Sequence, residues 1–100
     1  MSQIEIPPSF IALYVPPGRS KPSAGFEEIL SRYEFCEDMA NLLTETARNM
    51  QFSLGITEAD VLARVQQGLV VEDSAFTSTE AQWVVCRLAE LLAWAMPVAA

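Results

Sequence analysis

Between Phe26 and Met50 the residues Phe26, Ile29, Leu30, Tyr33, Cys36, Ala40, Leu43, Ala47 and Met50 recur at steps of three and four. Only an α-helix gathers that spacing onto one face. The pattern predicts a helix over about 25–53, ended by Gly55. Glu27, Glu28, Arg32, Glu34, Glu37, Asp38, Glu45 and Arg48 fall on the opposite side. Acids crowd its N-terminal half, where the helix dipole favours negative charge. Phe35, Met39 and Leu42 form a second apolar stripe beside the first. A helix buried on one side has no use for two stripes, so this one is expected to touch two neighbours.

Two further helices follow. Thr57 is a good N-cap with an acid, Asp60, three residues on, and Val61, Leu62 and Val65 supply a core face. Gly68 is the expected stop, which gives a helix over about 57–67. Residues 69–76, with Val70, Val71 and Phe76, form an irregular connection. Thr77-Ser78-Thr79-Glu80 is a capping box opening a third helix to about Met96, before Pro97. Between Ala81 and Met96 only Gln82, Arg87 and Glu90 are strongly polar. A helix apolar nearly all round is the centre of its domain or the seam of an oligomer. A domain this small leaves few neighbours to wrap it, which favours the seam.

The first 25 residues read differently. They hold all but one of the six prolines and two of the four glycines. Gln3-Ile4-Glu5-Ile6 alternates like a short strand or extended arm. Phe10 to Val15 is an apolar run between Pro7-Pro8 and Pro16-Pro17. Pro8 suits a first helical turn, and Val15 before a proline is pushed out of the helical region. A two-turn helix over about 8–14 follows, with Phe10, Leu13 and Tyr14 on one side. The expected architecture is therefore all-α. A proline-rich arm and linker (1–25), with a possible short extra helix, precedes a three-helix bundle (26–100).

Length sets the scale. One hundred residues make one domain. Folding hides about 10,000 of roughly 16,000 Å². Apolar residues are 51% of the chain and charged ones 19%, which excludes disorder. Thirteen acids against six bases give a net charge of −7. Such a surface repels phosphate backbones and anionic membranes, so nucleic-acid and membrane partners are excluded. A helix-turn-helix reading has only Arg64 and Arg87 to draw on. The third helix is too short and too charged at its centre to span a bilayer. With no charged-then-apolar leader, the chain is expected in the cytoplasm with Cys36 and Cys86 reduced.

Histidine is absent, which removes the usual base near neutral pH and the commonest metal ligand. The serines and cysteines have no partner for nucleophilic catalysis, and Lys21 is the chain's only lysine for a Ser-Lys scheme. Glu34, Glu37 and Asp38 cluster on one face, but bundle metal sites project carboxylates inward and add histidine. No enzyme, cofactor or metal is expected. Arg19 and Lys21, in Val15-Pro-Pro-Gly-Arg-Ser-Lys-Pro-Ser-Ala-Gly25, are the candidates for anion binding. A Walker loop needs G-x-x-x-x-G-K-[ST], and this segment lacks the second glycine and loses an amide at Pro22. It reads as a linker. Tyr14, Phe35, Trp83 and Trp94 are the candidate protein-interaction anchors, since Trp and Tyr dominate such contacts. Trp83 and Trp94, eleven residues apart, are expected on one side of the third helix.

Phe10-Ile11-Ala12-Leu13-Tyr14-Val15-Pro16-Pro17-Gly18-Arg19, followed by Arg32-Tyr33-Glu34-Phe35-Cys36-Glu37-Asp38, resembles small uncharacterised bacterial proteins. Some of those bear the description "ATPase with chaperone activity". The likeness covers most of the chain. It implies a nucleotide site, for which no Walker loop is present, and a chaperone role, which an acidic surface with excess apolar helix suits. The function expected is a non-enzymatic adaptor- or chaperone-like module binding another protein or itself, as a homodimer. The alternative is a nucleotide-binding accessory protein using Arg19 and Lys21.

Overall fold

The computed structural model describes residues 5–71 and 74–97. Every regular element among them is helical: α1 (Pro8–Ile11) running into a 3₁₀ turn (Ala12–Tyr14), then α2 (Phe26–Leu54), α3 (Glu58–Leu69) and α4 (Ser78–Leu92). The chain divides into two compact units, Met1–Phe35 and Cys36–Ala100. The division falls inside α2, past the change of composition at residue 25. Gln3 and Ile4, half of the alternating segment, lie outside the described residues, as do residues 98–100.

The first unit is organised by aromatic rings. Pro8 opens α1, where a missing amide costs nothing. Val15 leaves the helical region with φ −98° and ψ 113°, as a residue before proline must. Phe10 is fully buried, with its ring centre 5.6 Å from those of both Tyr14 and Tyr33. Ile6, before α1, and Ile29, on α2, are the other buried residues of this unit among those described. The linker is ordered rather than loose. The Arg19 amide donates to the Pro16 carbonyl at 3.0 Å around Pro17 and Gly18, and Gly18 takes φ 77°. Proline followed by a positive-φ glycine is the signature of a type II turn. Ser23 then donates to the Tyr14 carbonyl from its amide at 2.6 Å and its hydroxyl at 3.0 Å.

The second unit is built on α3 and α4, which pack against each other. Val61, Leu62, Val65 and Leu69 of α3 are buried, as are Ala81, Val84, Val85, Leu88, Ala89 and Leu92 of α4. Cys36, Ala40 and Ala47 are the buried residues that α2 adds to this unit. Both helix starts follow the sequence. Thr57 Oγ1 accepts from the Asp60 amide at 3.1 Å. At Thr77 the box closes both ways: its hydroxyl accepts from the Glu80 amide at 3.1 Å, and Glu80 Oε1 accepts from the Thr77 amide at 3.0 Å. That bond accounts for a carboxylate only 3% exposed.

Helix ends depart from expectation more often. Gly55, at φ 62°, ends α2 by taking the left-handed conformation. Gly68 does not stop α3, which continues through it to Leu69. The Ser74 hydroxyl then donates to the Leu69 carbonyl and accepts from the Phe76 amide at 3.1 Å, turning the connection. Helix α4 ends at Leu92, four residues short of Met96. Ala93 adopts φ 58°, with its amide on the Glu90 carbonyl and the Trp94 amide on the Ala89 carbonyl. This pair of bonds is a Schellman close, here without the glycine that usually forms it.

Candidate functional site

The residues that chemistry would need are dispersed or engaged. Arg19 and Lys21 are both exposed on the turn after α1. The Arg19 and Ser23 amides already bond carbonyls of the same unit, and Pro22 has none, so the loop offers few amides to an anion. Arg87 is held: its Nε donates to Glu37 Oε1 at 2.9 Å, its second terminal nitrogen to Glu37 Oε2 at 3.0 Å, and its first to Glu90 at 3.3 Å. This fork holds the Glu37 carboxyl below its ordinary range, against an opposing effect of burial, with Asn41 adding a bond. Arg87 is correspondingly raised. Cys36 and Cys86 form no disulfide, and partial burial with Glu90 nearby pushes Cys86 up, away from the reactive thiolate. Among the described residues no group of three or more His, Cys, Asp or Glu could hold a metal, and no helix is long and apolar enough to cross a membrane.

The candidate anchors separate. Tyr14 is half-buried in the ring cluster of the first unit. Phe35 is 40% exposed, with the Arg32 guanidinium 5.1 Å from its ring centre. Trp83 is half-buried on α4. Trp94 is half-buried beyond the helix end, so the helical register expected to put the two tryptophans on one side does not reach it.

The apolar surplus lies elsewhere than expected. Helix α4 is the most buried element, with Trp83, Cys86, Arg87 and Leu91 half-covered and only Ser78, Thr79, Gln82 and Glu90 exposed. The premise for an α4 seam is therefore weaker than its composition suggests. Helix α2 is the reverse. Its stripe of Phe35, Met39 and Leu42, expected to meet a second neighbour, has Leu42 at 71% and Phe35 at 40% exposure. Phe52 is 90% exposed and Leu54 also stands out. Phe26, placed on the buried face by its spacing, is exposed at the first turn. Only Ile29, Cys36, Ala40 and Ala47 of that face are fully covered.

Sequence reasoning missed Phe52 altogether. Its signal was available: it follows Leu42, Glu45 and Asn49 at helical steps, away from the Cys36-Ala40-Ala47 face. Compared with protein-family models, curated proteins and solved structures, the chain matches none.

Proposed function

We propose that this protein is a non-enzymatic interaction module, adaptor- or chaperone-like, that binds another protein through the outer face of α2. In this reading α2, α3 and α4 form a bundle that holds this face toward solvent. The observation that carries it is the exposure of Leu42 and Phe52 on an ordered helix. Large apolar side chains on a rigid element gain about 25 cal/mol per Å² when a partner covers them. An exposed loop residue would first have to be ordered. The engagement of Arg87 and the protonated character of Cys86 support the non-enzymatic part.

The test is capture from a lysate of the protein's source cells at moderate salt, with wild type beside Leu42→Ser and Phe52→Ser. A near-stoichiometric partner held by wild type and lost by both variants is the expected result. A thermal shift with ATP that disappears in Arg19→Ala/Lys21→Ala would replace this reading with the nucleotide-binding one.

A further inference from the structure

Asp38, Leu42, Glu45, Asn49 and Phe52 follow one another at steps of four, three, four and three on α2, and all five are exposed. That spacing is a single longitudinal stripe of a helix, about 21 Å long at 1.5 Å per residue. It carries two large apolar side chains, two carboxylates and an amide, with no cation on the line. Arg48 stands beside it, next to both Glu45 and Phe52 by helical spacing. Among the described residues neither Asp38 nor Glu45 forms an ion pair. The nearest acid on the helix, Glu37, is already neutralised by Arg87.

We infer that this stripe docks a basic amphipathic helix of another protein, with apolar residues over Leu42 and Phe52 and cations over Asp38 and Glu45. The inference rests on the interaction-module reading and names the partner's chemistry. The order of residues selects against a second copy. In an antiparallel two-fold pair centred on the stripe, Glu45 meets Glu45. In a parallel pair Asp38 meets Asp38 and Glu45 meets Glu45. Either arrangement buries like charge or unpaired charge, which is costly. A basic partner removes both penalties: its cations satisfy the carboxylates at the ends of Leu42's turn while its apolar face covers Leu42 and Phe52. An acidic partner fails for the same reason that a second copy does. A basic but uniformly polar segment leaves the two apolar side chains wet.

The probe is a synthetic 18-residue Leu/Lys amphipathic helix, fluorescently labelled and titrated with the full-length protein. A Leu/Glu helix of the same pattern and a Lys/Ser peptide are its controls. Wild type is expected to bind the Leu/Lys helix at micromolar Kd and the controls at least tenfold more weakly. Leu42→Ser, Phe52→Ser and Asp38→Lys/Glu45→Lys should each lose at least tenfold. Glu5→Lys/Glu58→Lys, which changes net charge equally at exposed positions off the stripe, should stay within twofold. Because Leu42 and Phe52 are exposed, these variants should keep the wild-type helical circular dichroism. Equal loss in Glu5→Lys/Glu58→Lys would overturn the inference in favour of attraction to net charge alone. So would undiminished binding by Asp38→Lys/Glu45→Lys, or a dimer in light scattering that Leu42→Ser dissolves. If the Leu/Lys helix fails while the lysate partner is still lost in Leu42→Ser, the inferred chemistry is wrong and the module reading stands. If the lysate partner also survives Leu42→Ser, both fall.

Discussion

Ala93 holds a conformation that costs an alanine about 1 kcal/mol, while Gly68 sits inside a helix where glycine costs about the same. Exchanging the two preferences should therefore stabilise the protein twice over. Gly68→Ala is expected to gain about 1 kcal/mol, since a Cβ there meets nothing within 4 Å. Ala93→Gly should gain up to about 0.5 kcal/mol, the relief of strain less the added freedom of the unfolded chain. Urea titration of each variant reads both; a loss in either contradicts the assigned backbone geometry. These two residues also show what a sequence conceals. The capping threonines announce themselves because their hydroxyls are the mechanism. A left-handed alanine gives no such sign, since the tertiary fold imposes its φ. Glu37 is a second residue-scale case. Arg87 depresses its pKa in the folded state, so the stability it contributes is present above its unfolded value near 4.3 and is lost as pH falls through the lower folded value. With Arg87 about one-third exposed, solvent screening limits the pair to about 1 kcal/mol. Stability of wild type should decline below about pH 5, and Glu37→Gln should start lower at pH 7 and decline less. Parallel acid limbs for the two proteins would remove Glu37 from the account.

At the scale of elements, α2 and α4 exchange the roles their compositions suggest. The apolar circumference of α4 reads as a seam, yet the structure covers most of it. The two stripes of α2 read as two buried faces, yet only small residues and Ile29 are fully covered. Periodicity locates a face but not what stands opposite it. It therefore gave the helices and their starts, while the identity of the exposed helix needed the fold. The contrast is measurable in one pair of substitutions. Leu88, with no exposure, should cost about 2–5 kcal/mol as Leu88→Ala, from lost transfer energy and the cavity left behind. Leu42→Ala, at 71% exposure, should stay within about 0.5 kcal/mol of wild type. Chemical denaturation midpoints compare them directly, and a large cost at Leu42 would mean that its face is covered in the monomer.

For the molecule as a whole, a net charge of −7 and an exposed apolar stripe act together. In the proposed reading, the charge keeps copies apart and the stripe gives a basic partner something to hold. The all-helical class and the proline-bounded first turn were legible from prolines, glycines and helical spacing. The α2 surface was legible only in half, as Phe35 and Leu42, because exposure is decided by what other elements leave uncovered. Trp83 and Trp94 drew notice by residue type alone, and the end of α4 at Leu92 separates them. The most direct measurement places a photo-crosslinking side chain at residue 42, and separately at exposed residue 63 on α3, then irradiates each protein in lysate. The account predicts one dominant adduct to another protein from position 42 and none from position 63. Adducts from position 63 alone, or only a self-adduct of twice 11.0 kDa from position 42, would contradict it.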